Sequence, residues 1–397
     1  MSLKLPTFNR SLIILLATQI ITGSTIPILF LVSGLLGPQI APTLNLSTLP
    51  MSLLVVGVAL LSPVSSWVMS KIGRKHGHLW GLFLTFCGVA ISFLSIGTTS
   101  FGWFCLGSFL AGGGMAFNNQ IRFTAAECAG DEKALVHSWI LMVSLFAAFL
   151  GPWITQTGRT LLPLGEYTGS LVLLLVCLVG AMCMIFALPY VPVARVQETA
   201  RVIKTKMLKS VLSRQEFWLS VLCGMSAFAT MTLLMSATPL QMHTIAHFSN
   251  AETTMTIQSH IMAMYFPSLF SGLLLARVGL RKLILGGTSL FFVSIWVAFN
   301  SLSCHDYWWA LVVLGIAWNF LFLAGSTGIS LAFTGPERFM AQGLNDALVY
   351  GTQSIASLSA GWLLFTVGWS RLVWFPVPLL GALLVYALVY KLAPVRS

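Results

Sequence analysis

The sequence predicts an all-α integral membrane protein of twelve transmembrane helices, arranged as two pseudo-symmetric six-helix bundles. Three observations lead there: scarce charge, a succession of apolar runs of spanning length, and basic residues confined to alternate connections. Of 397 residues, 57% are hydrophobic and 8% charged, with a mean hydropathy of +0.90. A water-exposed surface draws on roughly 25% charged residues, so most of these side chains have lipid or one another as solvent.

Apolar stretches of about 20 residues match the thickness of a bilayer. They place spans at 11–35, 49–70, 78–98, 101–125, 135–158 and 168–190, then at 217–240, 257–276, 283–302, 306–332, 341–366 and 370–391. In lipid each backbone polar group must be satisfied within its own segment, so these runs become helices. The first run is too long for the apolar core of a signal peptide and reads as a span that stays with the chain.

The connections test that layout. With the N-terminus inside, Lys4, Arg10, Lys71, Arg74, Lys75, Lys133, Arg195, Arg201, Lys204, Lys206, Lys209, Arg214, Arg277, Arg281, Lys282, Arg338, Lys391 and Arg396 all fall on the cytoplasmic side, 18 of the 21 Lys and Arg residues. Arg159 and Arg371 fall outside and Arg122 within a span. Basic residues flanking short loops set orientation, so both termini are expected in the cytoplasm of a bacterial inner (cytoplasmic) membrane, in a multi-pass chain. The same bias accounts for the net charge of +11 without a nucleic-acid partner. Seven cysteines without CxxC or metal-like spacing imply neither a disulfide framework nor a metal site, and no cofactor is expected. HExxH, paired embedded acids and a nucleophile elbow are all absent, which argues against a membrane enzyme.

The longest polar stretch sits near the midpoint and divides the chain into 1–190, a linker at 191–216 and 217–397. The linker's basic residues suit an amphipathic helix on the cytoplasmic leaflet or a solvated connection. The two halves echo one another. Ser66 to Lys75, with Lys71, Gly73, Arg74 and Lys75, aligns with Gly272 to Arg281, with Arg277 and Gly279, at a spacing of 206 residues. Phe109–Gly112 and Phe322–Gly325 share the tetrapeptide Phe-Leu-Ala-Gly. Parallel halves of this kind are one plan for transporters.

These features resemble the major facilitator superfamily over essentially the whole length. Its signature between spans two and three is a Gly, an acid, a base, Gly and a basic pair. This chain departs at the acid, which is Ser70 in one copy and Ala276 in the other. In the family that Asp latches the cytoplasmic gate through an Arg on span four and the start of span eleven, so the usual latch is missing. Family antiporters carry a glycine-rich motif in span five; only Gly151-Pro152 remains here, with Thr155 and Gln156 replacing flanking glycines. The resemblance implies alternating access about a midplane site lined by spans one, four, seven and ten.

An ionisable group at membrane depth costs at least about 2.5–3.5 kcal/mol, so each calls for a partner or a wet cavity. Arg122, in the polar run Asn118 to Arg122, lines the interior or snorkels. Asp346, a turn into span eleven, caps its helix or pairs; Glu127 is interfacial. Arg122 and Asp346 are expected to pair across the halves when the cytoplasmic side closes, partly replacing the absent Asp. His260 is a proton carrier, a substrate hydrogen-bonding group or a packing histidine, whereas His76 and His78 belong to the basic connection. The cavity candidates are Gln19, Thr22, Asn118, Arg122, Thr230, His260, Trp318, Asn319 and Thr327, with Trp318, Phe320 and Phe322 able to stack on an aromatic solute. Coupling or gating falls to Arg122, Glu127, Asp346 and His260. The expected partners are a small organic solute, protons as coupling ion and the bilayer, for a monomeric chain. The first functional expectation is proton-coupled efflux of a drug-like compound or metabolite, the second is uptake of a nutrient or vitamin-like solute, and a third is a transporter-shaped receptor without flux.

Overall fold

The computed structural model describes residues 9–43, 46, 49–128, 132–163, 165–189 and 201–389. Lys4, Arg195, Lys391, Arg396 and the first ten linker residues lie outside them. Among the described residues every regular element is helical: α1 Arg10–Ile40, α2 Leu49–Gly97, α3 Phe101–Asn118, α4 Ile121–Glu127, α5 Lys133–Gly158, α6 Thr168–Phe186, α7 Arg201–Ser213 and α8 Gln215–Pro239. A π-helical turn, Leu240–Ile245, then leads to α9 Asn250–Tyr265, α10 Ser268–Val278, α11 Leu280–Phe299, α12 Cys304–Ala332, α13 Glu337–Val367, α14 Trp369–Leu372 and α15 Val377–Val389. Helical segments lie on all twelve predicted spans. Eight helices are by themselves long and apolar enough to cross a membrane, and α9 with α10 passes as a pair bent by 41°.

Two boundaries differ from the sequence-based expectation. Spans two and three are one 49-residue helix, α2, interrupted only at Gly73, whose φ of 86° and ψ of 163° turn the chain without a loop. At 1.5 Å per residue an unbroken α2 would run roughly 70 Å, over twice the hydrocarbon thickness, so this break makes two crossings from one helix. As a result His78 is not in an exposed connection: it is fully buried, with its Nε2 2.9 Å from Thr124 Oγ1. Span four divides into α3 and α4 through a tightened turn in which Gln120 N–H bonds Phe117 O and Phe123 N–H bonds Gln120 O. Asn118 and Arg122 therefore do not share one regular helix face.

The chain forms two compact units. The first comprises Met1–Asp131, Val143–Thr199 and Gln342–Ala347; the second comprises Glu132–Met142, Ala200–Ala341 and Leu348–Ser397. Each is mostly one half of the sequence, plus a short segment from a helix of the other. In the first unit, α2 and α3 pack at backbone distance. A Cβ on Gly112 would collide with the Leu54 carbonyl, and one on Gly88 with the backbone of Gly107 and Ala111. Small residues at helix crossings let dispersion contacts replace the hydrophobic drive that lipid does not supply. In the second unit α12 is central: a Cβ on Gly315 would strike His260 O and Met264 N, and Ser294 Oγ bonds Ala310 O at 2.8 Å. Capping boxes at Ser249/Glu252 and Ser303/Asp306 start α9 and α12, satisfying otherwise orphan N–H groups.

The signature repeat has one geometry in both units. Gly279 turns the chain from α10 to α11 with φ 82° and ψ 164°, nearly the angles of Gly73. This region of backbone space belongs to glycine. Two residues later, Lys75 Nζ bonds Leu188 O at 2.8 Å, and Arg281 Nη2 bonds Leu388 O at 2.6 Å. Each basic side chain thus reaches the C-terminal end of its unit's last long helix, where cations complement the helix dipole. The Phe-Leu-Ala-Gly echo is not equivalent in space. A Cβ on Gly112 meets α2, whereas one on Gly325 meets Ser220 O of α8, because the tetrapeptides are seven residues out of step with the glycine frame.

Candidate functional site

Two groups of buried and half-buried side chains stand out, one in each unit. In the first, Arg122 forms an ion pair with Asp346 Oδ1, and neither side chain is more than 7% exposed. Asp346 Oδ1 also accepts from Asn345 Nδ2 at 2.9 Å, and Oδ2 from Gln120 Nε2 at 3.0 Å. Gln120 turns its carbonyl to the other cation, accepting from Arg74 Nη1 at 3.3 Å. Arg74, 1% exposed, pairs with Glu127 through Nε and Nη2 and donates to Gln342 Oε1 at 2.6 Å. The result is a neutral cluster of two cations and two anions bridged by amides. Such pairing offsets desolvation better when further donors and acceptors are also met, and Gln120 and Gln342 supply two such contacts to Arg74 and one to Asp346.

Ser70, where the signature acid would stand, bonds Trp67 O of its own helix at 2.6 Å. The carboxylate facing span four comes instead from α13. Lys71 and Arg277 are exposed on their units. The sequence reading missed Gln120, Gln342 and the burial of Arg74. The run Asn118-Asn119-Gln120 signalled polarity at this place, though not which amide would serve.

The second group is aromatic. Trp318 stacks on Phe322 with ring centroids 4.9 Å apart. Phe228 of α8 meets the edges of Trp318, Phe322 and Tyr350 at 5.2–5.4 Å, and Tyr265 of α9 meets Trp318 at 5.9 Å. Trp318 Nε1 finds no hydrogen-bond partner among the described residues, nor do the hydroxyls of Thr230, Ser226 and Thr327. A buried donor without a partner costs about 1–3 kcal/mol, so the Trp318 indole N–H is a place where a polar group could be accommodated. Phe228, Tyr265 and Tyr350 carry no sequence signal that separates them from packing aromatics; only the fold assembles them.

The other candidates scatter. Gln19 donates to Ser144 Oγ at 3.1 Å, and Thr22 back-bonds to Thr18 O at 3.1 Å. Asn118 is buried, with neither amide atom partnered among the described residues and its Oδ1 beside Gly81 of α2. His260 is fully buried and its Nδ1 lies 2.7 Å from Leu311 O, so Nδ1 carries the proton, and Nε2 has no partner among the described residues. Asn319 donates to Met264 O at 2.7 Å and Ser268 Oγ at 2.6 Å, which bridges the break between α9 and α10.

Known proteins share this plan. Riboflavin transporter RfnT of Brucella anthropi is 33% identical over 391 residues, covering 97% of this chain and 96% of that protein. The uncharacterized MFS-type transporter YddS of Bacillus subtilis is 25% identical, over 86% of this chain and 82% of its own length. Among solved structures, the transporter FucP in its outward conformation superposes with a TM-score of 0.76 at 14% identity, over 98% of this chain and 99% of its own. The human organic anion transporter MFSD10 gives 0.77 at 15%, over 96% and 100%. The family model described as Major Facilitator Superfamily matches residues 12–267. A helical membrane fold with a repeated glycine turn, full-length identity to a transporter and a family match over most of the chain agree: this protein is a secondary transporter belonging to the Major Facilitator Superfamily.

Proposed function

We propose that this transporter takes up a planar, aromatic, vitamin-like solute of the riboflavin kind by alternating access. The single observation that carries the reading is 33% identity to a riboflavin transporter over 97% of the chain. The aromatic group of the second unit supports it chemically. A fused heteroaromatic ring gains from stacking on Trp318 and Phe322, and its polar edge could use the Trp318 Nε1, which has no partner among the described residues. Of the two solute classes the sequence left open, the vitamin-like one is thereby preferred, and uptake is the direction proposed for it.

Protons are the proposed coupling ion. Protonating Asp346 would remove the charge that holds Arg122, so proton binding and release of the buried cluster are one event. The one-sided distribution of Lys and Arg supports cytoplasmic termini in a bacterial inner membrane, and a monomer suffices for the cycle.

Purified protein in proteoliposomes, given external riboflavin with and without an inward proton gradient, tests the reading. Accumulation that collapses with an uncoupler is expected. Binding without flux under any gradient would favour a receptor, and gradient-driven expulsion would favour efflux.

A further inference from the structure

Each unit includes a short segment from a helix whose remainder belongs elsewhere: Gln342–Ala347 of α13 in the first, and Glu132–Met142, the start of α5 with the residue before it, in the second. Both segments are seated at a contact so close that glycine occupies one side. In the first unit a Cβ on Gly343 would lie 2.8 Å from Ser66 Cβ and 3.0 Å from its Oγ. In the second, a Cβ on Gly272 would lie 2.6 Å from Ser138 Cβ and 3.0 Å from its Oγ. These are not independent contacts. Gly272 follows Ser66 by 206 residues, the spacing of the signature glycines, and Gly343 follows Ser138 by 205. The same pair of positions is therefore used twice, with serine and glycine exchanged.

The exchange has a consequence for hydrogen bonding. Ser138 Oγ donates to Ser268 O and accepts from Gly272 N–H at 3.1 Å, so it inserts into the ladder of α10 just past Pro267. Ser66 Oγ finds no partner among the described residues. The second unit thus holds its visiting segment by a hydroxyl, together with Lys133 Nζ to Ser330 O at 2.9 Å and Ser330 Oγ 3.4 Å from His137 Nε2. The first holds its segment by the charged cluster around Asp346.

We infer that Ser66, Gly343, Ser138 and Gly272 are positioning residues of the transport cycle, at two contacts that must each carry a single hydroxymethyl group for the segments to seat. The inference rests on the alternating-access reading but not on the identity of the solute. A second side chain at either contact overpacks this state alone, because a segment that has left the contact no longer meets its partner.

Hydrogen exchange of the full-length purified protein, read by mass spectrometry, tests this. Gly343→Ala is expected to speed exchange in 342–347 at least about fivefold while 132–142 keeps its protection, and Gly272→Ala the reverse. Gly343→Ser alone should behave as Gly343→Ala. The double exchange Ser66→Gly with Gly343→Ser rebuilds the arrangement of the other unit and should return exchange to within about twofold of wild type. If Gly343→Ala fails to fold, the double exchange still decides. In proteoliposomes with riboflavin as probe, the alanine variants should lower turnover while leaving the riboflavin Kd unchanged. Alanine variants that exchange as slowly as wild type, a double exchange no better than Gly343→Ser, or a Kd that moves with turnover would overturn the inference. A wild-type protein that takes up no riboflavin sinks the solute assignment alone, because the exchange comparison needs no solute.

Discussion

Arg122 and Asp346 form an ion pair across 224 residues of sequence, with the aspartate fully buried and the arginine nearly so. The pair joins α4 to α13, which supplies a carboxylate to span four where the signature loop has lost its usual acid. Gln120 ties it to the Arg74–Glu127 pair, so the four charges act as one unit.

Asp346→Asn should leave Arg122 buried without an anion, a loss of about 3 kcal/mol in stability. Arg122→Gln should cost less when made in the Asp346→Asn background than alone, because the two losses share one interaction. Thermal unfolding followed by intrinsic tryptophan fluorescence checks both. Additive effects would show that the two side chains do not depend on each other.

Gly73→Ala and Gly279→Ala place a Cβ where only glycine is at ease, with expected losses of about 1–3 kcal/mol each. Gly286→Ala offers a control, because nothing stands within 4 Å of its added Cβ and its φ is ordinary. Melting temperatures of the three variants should separate the turn glycines from the control.

Trp318→Ala should weaken riboflavin binding roughly tenfold by removing the stacked ring. Trp318→Phe keeps a ring and loses only Nε1, so about a threefold loss is expected. Quenching of riboflavin fluorescence measures both. Equal losses would mean that stacking contributes little and the indole N–H carries the contact.

The start of α9 should loosen in acid. Hydrogen bonds from the Ser249 hydroxyl and N–H hold the Glu252 carboxyl below its ordinary range. A depressed folded-state pKa means that the cap contributes fully above the unfolded-state value and is lost as pH falls through the folded one. Protection of the amides over 250–256, taken relative to the intrinsic exchange rate at each pH, should therefore fall between neutral and acidic pH, and Glu252→Gln should remove that pH dependence.

The sequence by itself determined the solvent, the helices and the kinship of the halves. Hydropathy is local, so runs such as Leu280–Phe299 are legible as helices without knowledge of their neighbours, and charge bias is a sum over loops. The glycine of the repeated signature was legible too, because one residue type alone accepts its backbone angles. Tertiary structure decided which polar group meets which. The sequence could raise Arg122 and Asp346 as partners from their similar depth, but not the amides between them. The aromatic group around Trp318 draws on four helices, and the crossings at Ser66 and Ser138 turn on distances of a few ångströms between segments some 130 to 280 residues apart. Contacts of that range depend on how helices seat against one another, and no local pattern encodes it.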